Sequence, residues 1–552
     1  MKKFLIFIFC GTLYSQVTNL DSLYYSYSEI KDSLYAWQTK FGQNPHPFSI
    51  YQNSIVYQLD SIGVSSNEEL PIYAVKLSIN VNEEEDEPKV LILGQCHAEE
   101  IYGVELSMAL IRWFLYPEET NWGNNELPLF LYNLEIWIVP THNPEGLNVV
   151  HGYEDDEGNW YQDISFRKNK TDVNLDGNFD FTSFYPDQIA GNDSDGVDLN
   201  RNYGLNWMFG DDKYELNLQS CPSNQAYSSN YDYYKGPSPF SESEVVAVKD
   251  FVQSKQFLFS IAYHSSRSGC VSERVIYPWA WGWIDSNGNE IVDSGEARTS
   301  PDFESIKPIA ENIASLIEKE GGGYYNPRPQ KSRNGNAHDW IYANTGCIQF
   351  LIEVGSSNIQ PLDQDLINST IDNNRKGLFY LLKESIPSEA NDTRHITGIV
   401  TDASTGNPIE GVRYKVLEFS SEVLESKRTN SVGRYHNILP LGNYHIEFLS
   451  DRYQKQIVEV NQNNILNIEL IPLIQKQITF KIDNYDQFSN EVLVDLIDSN
   501  DLVQSYSLTS ESTTINLFQK KYNLVATSES IIPYNIVLDS LITDDIILKL
   551  QP

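Results

Sequence analysis

The sequence predicts an α/β domain with helices on both faces of its sheet, followed by two small all-β sandwich domains. Three observations carry this. Short apolar runs alternate with helical patterns up to about residue 385, as strands alternate with helices in such sheets. Character changes at Pro387, after which short strand-like runs are separated by turns, with no convincing helix. The length of 552 residues is too great for one ordinary domain.

Composition agrees. Hydrophobic residues make up 41% and aromatics 12%, with 34 Tyr, so large cores can be buried and global disorder is disfavoured. A net charge of −37 argues against nucleic acid, whose phosphates need a basic face. It suits an exported, soluble protein, and one able to bind cations.

Taken in order, Met1-Lys2-Lys3 and the apolar run 4–9 read as a secretory signal over residues 1–15, removed before Gln16. Leu13 is not the small residue preferred there, and Phe9 before Cys10 does not suit a lipid anchor. No other stretch is long and apolar enough to cross a bilayer. The first domain is expected over 16–388. Residues 20–40 predict an amphipathic helix, and 54–59 and 72–79 predict strands, with a short acidic turn at 82–87. The run 90–93 reads as a fully buried strand. Ile101, Val104, Leu106, Met108, Leu110 and Ile111 then supply the apolar face of a helix. Further strands are expected at 134–139, 258–263 and 347–354, and helices at 242–254, 305–318 and near 375–382. The polar stretch 152–195 is rich in Asp, Asn and Gly and should be loop. The two sandwiches are expected over 394–472 and 473–552. Four Cys remain after cleavage, Cys96, Cys221, Cys270 and Cys347, too widely spaced for a disulfide framework or a zinc ribbon. A Cys221–Cys270 bridge and separate buried thiols both fit.

At the junction of the buried strand and its helix stands His97-x-x-Glu100. The C-terminal ends of strands are where α/β sheets usually carry their sites. A His and a Glu three apart in such a turn can both reach one ion. Zinc accepts that pair and, in catalytic sites, takes a third protein ligand and keeps a position open.

Nine pieces, in order, resemble the zinc metallocarboxypeptidases of the carboxypeptidase A/B type (the funnelins). They are Tyr25-Ser26-Tyr27-Ser28-Glu29-Ile30, His97-Ala98-Glu99-Glu100, Asn143-Pro144-Glu145-Gly146, Phe166-Arg167-Lys168-Asn169, 196–203 with Asp198-Leu199-Asn200-Arg201, 236–242, Ala262-Tyr263-His264-Ser265, Asp339-Trp340-Ile341-Tyr342 and Phe350-Leu351-Ile352-Glu353. The resemblance covers residues 20–385 and implies a mixed eight-stranded sheet flanked by helices. It also implies a Zn2+ ion held by His97, Glu100 and His264. Glu353, a carboxylate in an otherwise apolar strand, is costly to bury unless something uses it. As a general base it would deprotonate the attacking water and later protonate the leaving amine. Arg167 would hold the oxyanion as charge develops. Asn200 with Arg201 would bind the free C-terminus of a peptide, since a guanidinium fork matches a carboxylate.

The chain departs from the family at two places. Glu99 is acidic where a basic residue is common. The capping tyrosine's register falls on Lys331, with Tyr324 and Tyr325 the nearest upstream tyrosines. His338, just before Asp339, occupies the position that reads the substrate's terminal side chain. An Asp there would signal a preference for Lys or Arg, and His does not.

Two loops resemble calcium sites. Asp285, Asn287, Asn289, Asp293 and Glu296 fit EF-hand positions 1, 3, 5, 9 and 12, although Glu290 replaces the usual glycine. Asp172, Asn174, Asp176 and Asp180 fit the first half of such a loop and lack its closing Glu. An acidic surface loop explains either equally well. The segment 398–412, with Asp402, Gly406, Pro408 and Gly411, resembles the transthyretin-like module that follows carboxypeptidase domains. Such a module suits stabilisation, positioning, or contact with a cell surface or glycan.

The expectation is a secreted or periplasmic zinc carboxypeptidase acting on peptide or protein C-termini, not spanning a membrane. Two alternatives are a cell-wall peptide hydrolase of the same family and an inactive surface-binding protein.

Overall fold

The structure, a computed structural model, describes residues 20–550 apart from 21, 84, 121–122, 155–157, 159, 174, 176, 180–194, 210–232, 268–270, 283–296, 332, 391–393, 420–422, 461–463, 484, 486–490, 499–502, 529–532 and 539–544. The first helix, α1 (Tyr27–Trp37), starts later than the pattern 20–40 suggests. The Tyr-Ser-Tyr-Ser-Glu-Ile piece explains why. The Ser26 hydroxyl accepts from Glu29 N–H (3.4 Å) and the Glu29 carboxylate accepts from Ser26 N–H (3.0 Å), a capping box that sets the helix start.

Twelve strands precede the end of the first helical region. They are β1 (Tyr57–Val64), β2 (Pro71–Leu77), β3 (Lys89–Gln95), β4 (Glu135–Thr141), β5 (Tyr153–Glu154), β6 (Trp160–Tyr161), β7 (Phe259–His264), β8 (Arg274–Tyr277), β9 (Ala280–Gly282), β10 (Ala297–Thr299), β11 (Asn326–Pro329) and β12 (Ile348–Glu353). Eight of them make one sheet in the order β1-β2-β4-β3-β7-β12-β8-β11. The sheet is mixed. β3 runs parallel to β4 and to β7, and β7 parallel to β12, while β2 is antiparallel to β4 and β8 to β12. The expected sheet is therefore present. The expected 152–195 loop carries the short ribbon β5–β6 among its described residues.

Helices α2 (Tyr102–Leu115), α3 (Gly123–Leu131), α4 (Pro144–His151), α5 (Ser243–Lys255), α6 (Phe303–Leu316), α7 (Ala337–Thr345) and α8 (Gln364–Glu384) complete the layers. Successive residues of a strand face opposite ways, and β3 shows the consequence. Val90 and Ile92 join one core with α2, α6 and α8, whereas Leu91 and Leu93 join another with α5 and α7. A strand buried on both faces needs the unbroken apolar run that the sequence has at 90–93. The closing helix α8 begins at Gln364, not near 375. The Asp363 carboxylate caps it by accepting from Asp365 N–H and Leu366 N–H, and Ile367 and Thr370 already face the core in its first two turns.

Beyond Arg394 the described residues form four further sheets, of three and four strands and again of three and four. In the last pair one core joins Ile478, Phe480, Val494, Leu496, Leu524 and Leu548. The 398–412 motif has a structural basis. The Asp402 carboxylate accepts from Ser404 N–H, Thr405 N–H and the Tyr453 hydroxyl, and so ties a turn. A Cβ on Gly398 would lie 1.9 Å from Leu466 O. Contacts between Cα atoms divide the chain into two compact units. One holds residues 1–397, 419–427 and 436–442, and the other holds 398–418, 428–435 and 443–552. Among the described residues no helix is long and apolar enough to cross a membrane.

Candidate active site

Parallel pairing of β3, β4, β7 and β12 brings four strand ends to one edge of the sheet. β3 ends at Gln95, two residues before His97. His264 is the last residue of β7 and Glu353 the last of β12, and the register pairs these two directly. The turn 96–101 between β3 and α2 is pinned from several sides. Gln95 Nε2 donates to Ala98 O (3.0 Å), Asn143 Nδ2 to Cys96 O (2.9 Å), and Ala98 N–H to Arg167 O (2.9 Å). Gly94 is needed there, because a Cβ would lie 2.0 Å from Pro140 O.

His97, Glu100 and His264 converge. Each offers one ligand atom, all within 4.8 Å of one another, and all three residues are buried. His97 Nδ1 is 2.9 Å from Glu100 Oε1, and His264 Nδ1 is 2.9 Å from Glu100 Oε2 and 3.1 Å from His97 Nδ1. Two imidazole nitrogens and a carboxylate facing one point form a cluster of lone pairs that suits a borderline-soft divalent cation such as zinc. Ser265 N–H also donates to Glu100 Oε2 (3.0 Å), which orients the carboxylate. Burial alone would raise the Glu100 carboxyl, but His97 and His264 outweigh it and hold the group well below the usual range.

Asp198, a motif residue to which the sequence assigns no role, has a defined position in the structure. Its carboxylate lies 3.1 Å from His97 Nε2 and accepts from Arg167 Nε at 3.0 Å. Burial would raise it, yet Arg167, Arg201 and His97 keep it well below the usual carboxylate range. An acid flanked by Val197 and Leu199 was the available signal. Arg167 also donates from Nη1 to Glu100 Oε1 (3.2 Å), and its Nη2 lies 2.8 Å from His97 Nε2.

Asp198 caps the short 3-10 turn Leu199–Arg201, which presents Asn200 and Arg201. Asn200 Oδ1 accepts from Ala337 N–H at 2.8 Å, so its amide nitrogen is turned the other way. Gly335, at φ 67°, approaches so closely that a Cβ would lie 2.5 Å from Arg201 O. His338 follows Ala337 in the first turn of α7. It is buried, and neither ring nitrogen has a hydrogen-bond partner among the described residues. Burial, then His264 and Arg201, pull it down to about 3, so its ring is neutral. Asp339 beside it is pushed up to about 8 by burial, against donation from Asn336 and Trp281. Glu353 is likewise pushed up to about 8, by burial and then by Glu100. Glu99, the acidic departure, is buried with Arg267 at 3.4 Å and Arg167 at 3.8 Å.

Tyr325 lies in the core, where its phenol oxygen accepts from Gly355 N–H (2.9 Å), and Tyr324 is 55% exposed. Lys331 is half-buried beside Gln330. A different tyrosine, Tyr233, lies against both Arg167 and Arg201.

The calcium candidates Asp285, Asn287, Asn289, Asp293 and Glu296 lie outside the described residues, as do Cys221 and Cys270. Of the second loop, Asn174, Asp176 and Asp180 also lie outside the described residues, and Asp172 accepts from Leu175 N–H (2.7 Å) and Gly177 N–H (2.9 Å). Cys96 and Cys347 are buried thiols.

Two imidazoles and a carboxylate at the C-terminal edge of a mixed sheet give this α/β protein a site that could hold a metal ion. The family model described as zinc carboxypeptidase matches residues 51–395, and the chain belongs to that family. It is 23% identical over 412 residues to carboxypeptidase D of Homo sapiens, covering 71% of this chain and 23% of that protein. To mast cell carboxypeptidase A of Mus musculus it is 25% identical, covering 50% of this chain and 53% of that one. To carboxypeptidase E of Caenorhabditis elegans the identity is 22%, over 76% and 84%. The chain thus spans under a quarter of the first of these relatives and about half of the second. The carboxypeptidase A structure from Helicoverpa armigera has 17% identity and a TM-score of 0.46, covering 66% of this chain and 73% of that one.

Proposed function

We propose that the chain is an exported zinc carboxypeptidase that releases C-terminal residues from peptides. The observation that carries this is the convergence of His97, Glu100 and His264 with Glu353 paired beside His264 in the sheet. Zinc held by these three ligands would supply Lewis acidity toward water and the scissile carbonyl.

With the zinc charge holding it as a carboxylate against its burial, Glu353 accepts a proton from the attacking water and passes it to the leaving amine. Its place among buried groups keeps bulk solvent from competing for that proton. Arg167 meets the oxyanion, and its guanidinium is held ready by Asp198 at Nε. Arg201 and the Asn200 amide nitrogen take the terminal carboxylate, with Arg201 Nη1 steadied on Asn200 O at 2.8 Å. His338 stands where the terminal side chain enters, and a neutral ring there does not select Lys or Arg. Export rests on the leader-like residues 1–15, and the β-rich tail, with its transthyretin-like motif, would stabilise or position the enzyme.

The test is a free carboxylate. Amidating a good substrate's C-terminus leaves Arg201 facing a neutral group, a loss of roughly 2–5 kcal/mol for a desolvated pair. Arg201→Met should weaken the free acid similarly and leave the amide nearly unchanged. Equal cleavage of acid and amide by the parent would put the cell-wall peptidase reading ahead.

A further inference from the structure

We propose that Tyr233 is a positioning residue whose ring holds Arg167 and Arg201 together in the geometry the reaction needs. The Arg167 guanidinium carbon lies 5.0 Å from the centre of that ring and the Arg201 carbon 5.8 Å. Both distances fall within the ~6 Å over which a cation is attracted by an aromatic face. One half-buried ring therefore serves two cations on different loops, the residues proposed for the oxyanion and for the terminal carboxylate.

The choice of partner matters chemically. Two guanidiniums converging on a site repel each other; Asp198 already offsets part of that charge, and a second carboxylate beside them would offset more. Such an anion would also compete with the substrate's own terminal carboxylate for the guanidinium forks. A ring face offsets the charge without accepting a hydrogen bond from either fork. Arg167 is already fixed at Nε by Asp198, and Arg201 at Nη1 by Asn200 O. Tyr233 adds a plane against which both can lie. The tyrosines nearest the usual capping register do not do this, since Tyr325 is committed to the core and Tyr324 is exposed.

This inference rests on the carboxypeptidase reading. The zinc-loaded full chain is assayed on N-acylated dipeptides, first as free acids and amides, with C-terminal residues of apolar, polar, acidic and basic type. The best free acid is then used to compare Tyr233→Phe, Tyr233→Leu and Tyr233→pentafluorophenylalanine, with zinc content and Tm recorded for each. The last variant keeps the ring's shape and reverses the sign of its face, so loss of folding does not confuse the result.

Tyr233→Phe should keep most of the parent's kcat and KM. The other two should raise KM about fivefold through Arg201 and lower kcat about fivefold through Arg167, with zinc content unchanged. The KM effect should vanish on the amide. Parent-like kinetics in Tyr233→Leu or in the pentafluoro variant would overturn the proposal. So would equal losses in Phe and Leu, which would assign the role to the hydroxyl. A parent indifferent to amidation would overturn the carboxypeptidase reading and this inference together. A parent that needs the free acid, with all three variants matching it, overturns the inference alone.

Discussion

At the scale of single residues, Glu100, Asp198 and Arg167 are buried charges that are tolerable because each has an opposite neighbour. Asp198 is the clearest case, since one carboxylate serves both His97 and Arg167. Asp198→Asn keeps the shape and removes the charge, so zinc affinity should fall by about 10–100-fold, as for other carboxylates that orient a ligating histidine. Chelator competition measures this, and unchanged affinity would mean that Glu100 and the backbone orient His97 unaided. Glu353 differs, because its value lies in the proton it can accept. Glu353→Gln should retain zinc while kcat falls at least about a hundredfold. Near-normal turnover would assign the proton transfer to another group.

At the scale of elements, β3, the turn at 96–101 and α2 form one tightly packed unit. Gly94 touches Pro140 O, and a Cβ on Gly103 would lie 2.7 Å from the Gly94 backbone. Gly94→Ala should therefore cost about 1–3 kcal/mol or more, read as a lower urea midpoint and weaker zinc retention. A parent-like midpoint would mean that β4 can shift to accommodate it. Glu105, on α2, accepts from Tyr25 N–H at 2.7 Å, and burial pushes it up to about 8. Its folded value is raised above the unfolded value of 4.5. Between the two, the folded form holds a proton that the unfolded chain has released, so stability falls as pH rises through that window. Glu105→Gln keeps the acceptor and removes the titration. The variant should gain over the parent from pH 5 to pH 8, at up to about 1.4 kcal/mol per pKa unit. A Tm difference that stays flat across that range would refute this.

For the whole molecule, the −37 charge is the dominant long-range term. Like charges on a compact chain repel, and salt screens them, the Debye length falling from roughly 30 Å at 0.01 M to about 8 Å at 0.15 M. Thermal unfolding should therefore shift upward as sodium chloride rises across that range. A flat or falling midpoint would mean that attractive pairs, such as Lys170 with Glu68 and Lys383 with Glu126, outweigh the repulsion.

Much of this was written in the order of residues. The unbroken run 90–93 required a strand buried on both faces, and the spacing of Ile101, Val104 and Met108 required a helix after it. The resemblance of the motif pieces marked His97, Glu100, His264, Arg167, Arg201 and Glu353, and for His264 and Glu353 the apolar runs they end added a physical reason. The start of α8 was legible but missed, since Leu366, Ile367, Thr370 and Ile371 keep a helical spacing among polar neighbours and Ile367 and Thr370 are buried. Sequence alone also could not pair β7 with β12 in the register that sets Glu353 beside His264, nor give Asp198 its two partners. Tyr233 had no motif at all. Its proximity to Arg167 and Arg201 joins side chains 66 and 32 residues away along the chain. Local pattern reports which face a residue prefers. Only the folded chain decides which distant groups share that face, because their contact depends on strand order and loop path together.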